Sequence, residues 1–222
     1  MAFGFAHQLF VIGVGPGSPE YLLPVAREKI EKGNIFVGGK RLLDSFAPGK
    51  DNKFYLKNNL SQAMNFIIQA LHHDDVFVLV SGDPGYYSFL GTLRKKLPGE
   101  MITVIPGISA LQLAFARLSL PWQNASFLSF HGRVPEERTL LYEKGRLLGT
   151  LTDPVHNVSW IAGCLLEHHW PSDVICFICS QLSYVDERIE RTTLGDLAHL
   201  SYENAKSKHS SCFSNCVMIV KG

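Results

Sequence analysis

Residues 9–23 read LFVIGVGPGSPEYLL. An apolar run, Leu9–Val14, meets Gly13, Gly15, Pro16 and Gly17 and then enters a helical pattern. A short apolar run bounded by glycine reads as a buried strand, and the glycine turn as its exit into a helix. The fold depends on whether that turn cradles a dinucleotide. The dinucleotide fingerprint G-x-G-x-x-G/A needs a small third residue and an acidic residue about 20 positions on. Gly13 and Gly15 fit the first two positions, but the third is Ser18, and the second strand ends at Val37-Gly38-Gly39 with no carboxylate. Pro16 also removes an N–H from a loop that would have to donate N–H groups. No G-x-x-x-x-G-K-[ST] stretch occurs, which excludes a P-loop. What remains is a G-x-G-P-G turn at the carboxyl end of a parallel strand, the edge where open α/β sheets bind ligands. Taken alone it is equally a tight turn whose glycines supply positive φ.

Outward from this stretch, apolar runs recur at 34–37, 76–80, 102–105 and 127–130, with helical patterns at 20–31, 60–71 and 88–96 between them. Strand and helix alternate, so an α/β fold with a mostly parallel sheet is expected in the first half. After the polar stretch HGRVPEERTLLYEKGR the second half predicts strands at 148–151, 174–179, 187–191 and 215–220, with helices at 158–168 and 194–200. The LPWQN interruption places the expected boundary between domains 1–120 and 121–222. Lys206–Ser211 reads as a solvated loop.

The chain has 222 residues, 46% hydrophobic and 18% charged, so a sizeable core is expected. A net charge of +1 gives no argument for nucleic acid. No apolar stretch reaches the roughly 18 residues of a membrane span. The N-terminus lacks a signal-peptide pattern, and the five cysteines are odd in number. Both features lead to the expectation of a reduced, cytoplasmic setting. No metal centre is expected. Cys176 and Cys179 lie at an odd spacing in an apolar strand, and His209, Cys212 and Cys216 lack a fourth partner.

Two further strand ends carry the same kind of loop: Ser81-Gly82-Asp83-Pro84-Gly85 and Pro106-Gly107-Ile108-Ser109-Ala110. Three rigid loops at one sheet edge are where α/β proteins build sites. Asp83 either caps its turn or receives a cationic or amine-bearing ligand, and Ser109 also suits a helix N-cap. VGPG, SGDPGYY and IPGISALQ, in this order and spacing, resemble the tetrapyrrole methylase family, two-domain α/β enzymes that use S-adenosyl-L-methionine without a dinucleotide loop. The resemblance covers nearly the whole chain. PWQNASFLSFHGR, LTDPVHNVSWIAGCLLE and CSQLSYVDERIERTTLGDL are similar to segments of its C5-methyltransferase branch, the cobalt-precorrin-7 (precorrin-6Y) type of cobalamin biosynthesis. Pro24 stands where that branch has Thr, and Ser180–Glu187 departs from its E-N-L-G-Y-P-D-E.

The resemblance implies a mostly parallel N-terminal sheet, a mixed C-terminal sheet and an active site in the cleft between the domains. It implies that Val14, Gly15, Pro16, Gly82, Asp83, Pro84, Tyr86, Ser109 and Ala110 contact S-adenosyl-L-methionine, with Thr152, Gln181 and Leu182 on the adenine side. The acceptor is then a flat polycarboxylate tetrapyrrole, which needs cations at its rim. Lys40, Arg41, His131 and Arg133 are the candidates. The Arg133 fork matches a carboxylate, and His131 could act as a general base or donor; an ordinary surface arginine and a structural histidine are the plainer readings. Relatives imply a homodimer, and C15 methylation and decarboxylation are expected of a separate protein. Two other readings stay open: a methylase of the same superfamily acting on uroporphyrinogen III, rRNA or a diphthine precursor, and a cofactor-binding module without activity.

Overall fold

The computed structural model describes residues 6–203 and 216–222. The expected loop 206–211 and two of the residues weighed as metal ligands, His209 and Cys212, lie outside them. The chain divides into two compact units, 1–109 and 110–222. The join falls before the helix that begins at Ala110, eleven residues ahead of the expected start of the second domain.

In the first unit the strands are β1 (Leu9–Gly13), β2 (Ile35–Gly39), β3 (Asn52–Leu56), β4 (Val76–Val80) and β5 (Ile102–Ile105). They form one sheet in the order β3-β2-β4-β1-β5, and every pair is parallel. Helices α1 (Pro24–Lys32), α2 (Lys40–Phe46), α3 (Leu60–Ala70) and α4 (Leu90–Arg94) connect them. Alternate residues of the strands feed two separate cores, as the period of 2 demands. Phe10, Ile12, Phe36, Phe77 and Leu79 pack with Ala26, Ile30 and Leu43 of α1 and α2. Leu9, Val11, Val37, Val76 and Val78 pack with Met64, Ile67 and Leu93 of α3 and α4. A sheet covered on both faces explains the unbroken apolar runs. Each such fully buried side chain contributes roughly 1.5–3 kcal/mol.

The local chemistry of the opening stretch is now visible. Ser18, the residue that spoils the dinucleotide fingerprint, caps a 3-10 turn at Pro19–Tyr21, its Oγ accepting from the Glu20 N–H at 3.3 Å. The expected helix at 20–31 therefore begins only at Pro24, which occupies the first helical position, where its fixed φ is favourable and its missing N–H costs nothing. At the other end of α1, Lys50 Nζ donates to the Glu31 and Gly33 carbonyls at 2.9 and 2.8 Å. The helix α2 and edge strand β3 were not anticipated. The strand NKFYL mixes exposed and half-buried residues without alternation, a weak signal, and Gly39 hides the start of the helix.

The second unit starts with α5 (Ala110–Arg117) and continues through β6 (Ala125–Ser129), β7 (Leu147–Leu151), α6 (Val158–Glu167), β8 (Ile175–Ser180), β9 (Arg188–Thr193), α7 (Leu194–Glu203) and β10 (Cys216–Lys221). The sheet order is β6-β7-β10-β8-β9, parallel only between β6 and β7. Val158, Ile161, Leu165, Leu194 and Leu197 of α6 and α7 cover one face, against Leu148, Cys176, Ile178, Met218 and Val220. On the other face α5 comes close because β7 carries Gly149. A Cβ there would stand 3.1 Å from Leu111 and 3.2 Å from Phe115. Asn157 caps α6 by accepting from Trp160 N–H at 3.0 Å. The all-parallel first sheet and mixed second sheet are the expected fold. Among the described residues no helix is long and apolar enough to cross a membrane.

Candidate functional site

The three glycine-rich loops follow β1, β4 and β5, which are adjacent in a parallel sheet, so they emerge side by side at its carboxyl edge. They are stitched by backbone. Gly15 N–H donates to the Gly82 carbonyl at 3.4 Å, Gly82 N–H returns a bond to the Gly15 carbonyl at 2.8 Å, and Val14 N–H donates to Val80 at 3.0 Å. The third loop is tied in by Asp83. One carboxylate oxygen accepts from Gly85 N–H at 2.7 Å, the other from Gly107 N–H at 3.1 Å. The fit tolerates no side chain at two of the glycines. A Cβ on Gly13 would lie 2.5 Å from the Gly82 oxygen and 2.7 Å from the Gly107 nitrogen; one on Gly107 would lie 2.3 Å from that same oxygen. Gly15 and Gly82 adopt φ of 84° and 66°, a region glycine enters without steric cost.

This construction has a chemical consequence. The N–H groups of Val14, Gly15, Gly82, Gly85, Tyr86 and Gly107 all donate within the protein, and Pro16, Pro84 and Pro106 have none. A phosphate cradle needs such groups free. What the edge offers is the half-buried Asp83 carboxylate, an acceptor suited to a cation or an amine. Tyr86, three residues on, is half-buried, with its ring 4.7 Å from that of Tyr87 and nearly perpendicular. Burial pushes the Tyr86 hydroxyl pKa upward, so it stays protonated. The Ser109 main chain lies against Gly82, whose Cβ would meet its Cα at 3.4 Å. Lys40 and Arg41 begin α2 at the end of β2, on the same edge, and are exposed. Lys40 is paired with Asp44 one turn on, Nζ to Oδ2 2.5 Å.

In the second unit the pairings bring the ends of β6, β7 and β8 and the start of β10 to one edge, since Ser129 faces Leu151, Leu151 faces Val217 and Ser180 faces Cys216. The HGR segment, the LTD turn and the 181–187 loop all leave from there. Thr152 Oγ1 donates to the Cys216 carbonyl at 2.8 Å, and the Thr152 carbonyl lies 3.4 Å from His131 Nδ1. Gln181 and Ser183 adopt left-handed φ of 49° and 73°, and Leu182 between them is buried. Arg117, at the end of α5, holds this loop through Glu187: Nε to Oε1 at 2.6 Å and Nη2 to Oε2 at 3.3 Å, while Ser183 N–H donates to Oε2 at 2.7 Å. The Arg117 guanidinium keeps the Glu187 carboxyl below its usual range, ahead of the upward push of partial burial.

Asp153 was not singled out in the sequence, yet it is the most heavily bonded side chain at this edge. Its Oδ1 accepts from the N–H groups of Val155 at 2.8 Å and His156 at 2.5 Å. Its Oδ2 accepts from Gly132 N–H at 2.6 Å and lies 3.2 Å from His156 Nδ1. Burial pushes its pKa up, but these four hydrogen bonds outweigh that and hold it well below the usual carboxylate range. His131 and Arg133 flank the bonded Gly132 and are exposed. Cys176 and Cys179 are buried, and burial pushes both thiols up to about 12, far from the reactive thiolate range.

The sequence pattern of the tetrapyrrole (corrin/porphyrin) methylases matches residues 8–198. The chain belongs to this family of C-methyltransferases. It is similar to the probable cobalt-precorrin-7 C(5)-methyltransferase of Methanocaldococcus jannaschii, 29% identical over 200 residues, 86% of this chain and 92% of that protein. In fold it is similar to the precorrin-6Y methylase of Archaeoglobus fulgidus, with a TM-score of 0.71 at 18% identity, covering 97% of this chain and 98% of the other. It is also similar in fold to the uroporphyrin-III C-methyltransferase of Thermus thermophilus, solved with S-adenosyl homocysteine, at TM-score 0.70 and 20% identity over 96% of this chain and 92% of the other.

Proposed function

We propose that this chain transfers the methyl group of S-adenosylmethionine to C5 of a corrin precursor of the cobalt-precorrin-7 (precorrin-6Y) type in cobalamin biosynthesis. The observation that carries the cofactor half is the Asp83 carboxylate at the edge built by the three loops, six of whose N–H groups already donate within the protein. It suits a ligand bearing an ammonium and a sulfonium, and it does not suit a phosphate. The position on the ring is supported by the HGR and YVDERI segments and by the near full-length likeness to the Methanocaldococcus jannaschii relative.

When bound, S-adenosylmethionine supplies a methyl already activated by the positive sulfur. The residues then have to position and exclude water, with no strong base needed at the attack. Asp83 receives the amine, with Gly82, Pro84, Tyr86, Ser109 and Ala110 as neighbours of the same ligand and Val14, Gly15 and Pro16 bordering it. Thr152, Gln181 and Leu182 are further contacts of the cofactor. Arg133, Lys40 and Arg41 pair with ring carboxylates, and His131 donates to the acceptor or takes its proton.

The test is incubation with methyl-labelled S-adenosylmethionine and, in parallel, cobalt-precorrin-7 and uroporphyrinogen III. One added methyl at C5 of the first, located by NMR, is expected. Labelling of uroporphyrinogen III alone, or of neither acceptor by a protein that still binds S-adenosylhomocysteine, would overturn the acceptor assignment.

A further inference from the structure

We infer that Asp153 is the positioning residue of the His131–Arg133 loop, and that a carboxylate is required there. The inference rests on the reading above in one respect, that His131 and Arg133 serve the acceptor. Residues 131–134 are all exposed, and a Cβ on Gly132, at φ 68°, would have nothing within 4 Å. Packing at Gly132 therefore does not fix the loop's course, and hydrogen bonds act on it there. Three of these are long: His131 N–H to Ser129 Oγ at 3.4 Å, His131 Nδ1 to the Thr152 carbonyl at 3.4 Å, and Arg133 N–H to the Phe130 carbonyl at 3.5 Å. The bond from Gly132 N–H to Asp153 Oδ2 is 2.6 Å and ends on a charge, the kind of bond that is roughly twice as strong as a neutral one.

The carboxylate is itself aimed from behind. The N–H groups of Val155 and His156 and the His156 ring all bond to it from within its own turn, and the His156 ring stacks edge-on against Trp160 at 4.7 Å. Asp153 is thus a fixed post, 9% exposed at its side chain, that reaches across 21 residues of sequence to the loop. Three of its four partners are backbone N–H groups, which can only donate, and the His156 ring can meet them by donating as well. Only an acceptor at both oxygens satisfies them together. Asparagine has the same shape, but its amide nitrogen would oppose donors at one of the two oxygen positions. The plain reading of this aspartate, a turn cap for residues 153–156, predicts that asparagine would serve nearly as well.

The experiment compares the full chain with Asp153→Asn, Arg133→Ala and the double variant. In Asp153→Asn, trypsin should cut the Arg133–Val134 bond at least several-fold faster than in the wild type, followed by mass spectrometry; an unchanged rate overturns the inference. In the wild type, Gly132 amide exchange should be slow despite the loop's exposure; free-peptide exchange overturns the inference without any variant having to fold. In the methylation assay Asp153→Asn should raise KM for the corrin acceptor by about 10- to 100-fold, the scale of a misplacement near 1 Å. The affinity for S-adenosylhomocysteine should stay unchanged, because the loop it positions serves the acceptor. In the double variant the losses should be less than additive, whereas fully additive losses would overturn the inference. If the wild type methylates no corrin acceptor, the proposed function fails, and cleavage and exchange still decide the role of Asp153.

Discussion

The two sheet edges of this protein are built from the same kind of strand end by opposite means. In the first unit, loops are held by backbone against backbone. Gly13 and Gly107 approach the Gly82 carbonyl within distances that exclude a Cβ, and a single carboxylate, Asp83, adds the third loop. In the second unit, loops are held by side chains. Asp153 gathers the HGR loop, and Glu187 gathers the 181–187 loop with the help of Arg117. A backbone-built edge is stiff and nearly intolerant of substitution. A carboxylate-built edge can change its loops at the cost of one or two hydrogen bonds.

The comparison makes graded predictions. The largest effect belongs to Gly107→Ala, which forces a methyl into backbone at 2.3 Å. It should destabilise the chain by roughly 3 kcal/mol and abolish S-adenosylhomocysteine binding. A urea midpoint near that of the wild type would refute the backbone-built edge. Next is Asp83→Asn, which keeps one of two accepted N–H bonds. It should cost about 1–3 kcal/mol of stability and weaken S-adenosylhomocysteine binding in calorimetry; an unchanged isotherm would remove Asp83 from the site.

Smaller is Glu187→Gln, on the order of 1 kcal/mol, because the ion pair with Arg117 is partly exposed and screened. Its pH dependence has a definite sign. The folded Glu187 carboxyl lies below its unfolded value, which is about 4.3. The stability it contributes is therefore complete above that value and disappears as the pH falls through the folded pKa. The wild type should exceed Glu187→Gln in urea midpoint at pH 7 and match it under strongly acidic conditions. An identical gap at both pH values would mean the effect is one of packing. Least of all, Lys40→Ala should leave the urea midpoint unchanged, since its partner Asp44 is a solvent-exposed neighbour on the same helix. A rise in KM for the corrin acceptor would be its only trace, and no rise would remove it from the acceptor rim.

The first edge was legible for a physical reason. Glycines that permit left-handed φ or close backbone contact have few substitutes, so Gly13, Gly15, Gly82 and Gly107 mark their loops in the linear sequence. The strands β1 and β4 were equally plain, because burial on both faces leaves uninterrupted apolar runs. Helix α2 and strand β3 were not legible. They lie at the sheet margin, where β3 has one neighbour and a half-exposed face. Neither was Asp153: an aspartate two residues after a strand reads as any turn cap, and its partner Gly132 is 21 residues away.

By itself the sequence determined the alternation of strand and helix, the three loops and the exclusion of a phosphate-binding turn, because these depend on local stereochemistry and on which residues lack an N–H or a Cβ. Only the tertiary structure decided which donors and acceptors were already used. It assigned six loop N–H groups of the first edge to the protein itself, fixed Ser18 as a cap, and joined Asp153 to Gly132 and Arg117 to Glu187. Hydrogen-bond satisfaction is a property of pairs distant in sequence, and it is set by strand order and register that no single stretch contains.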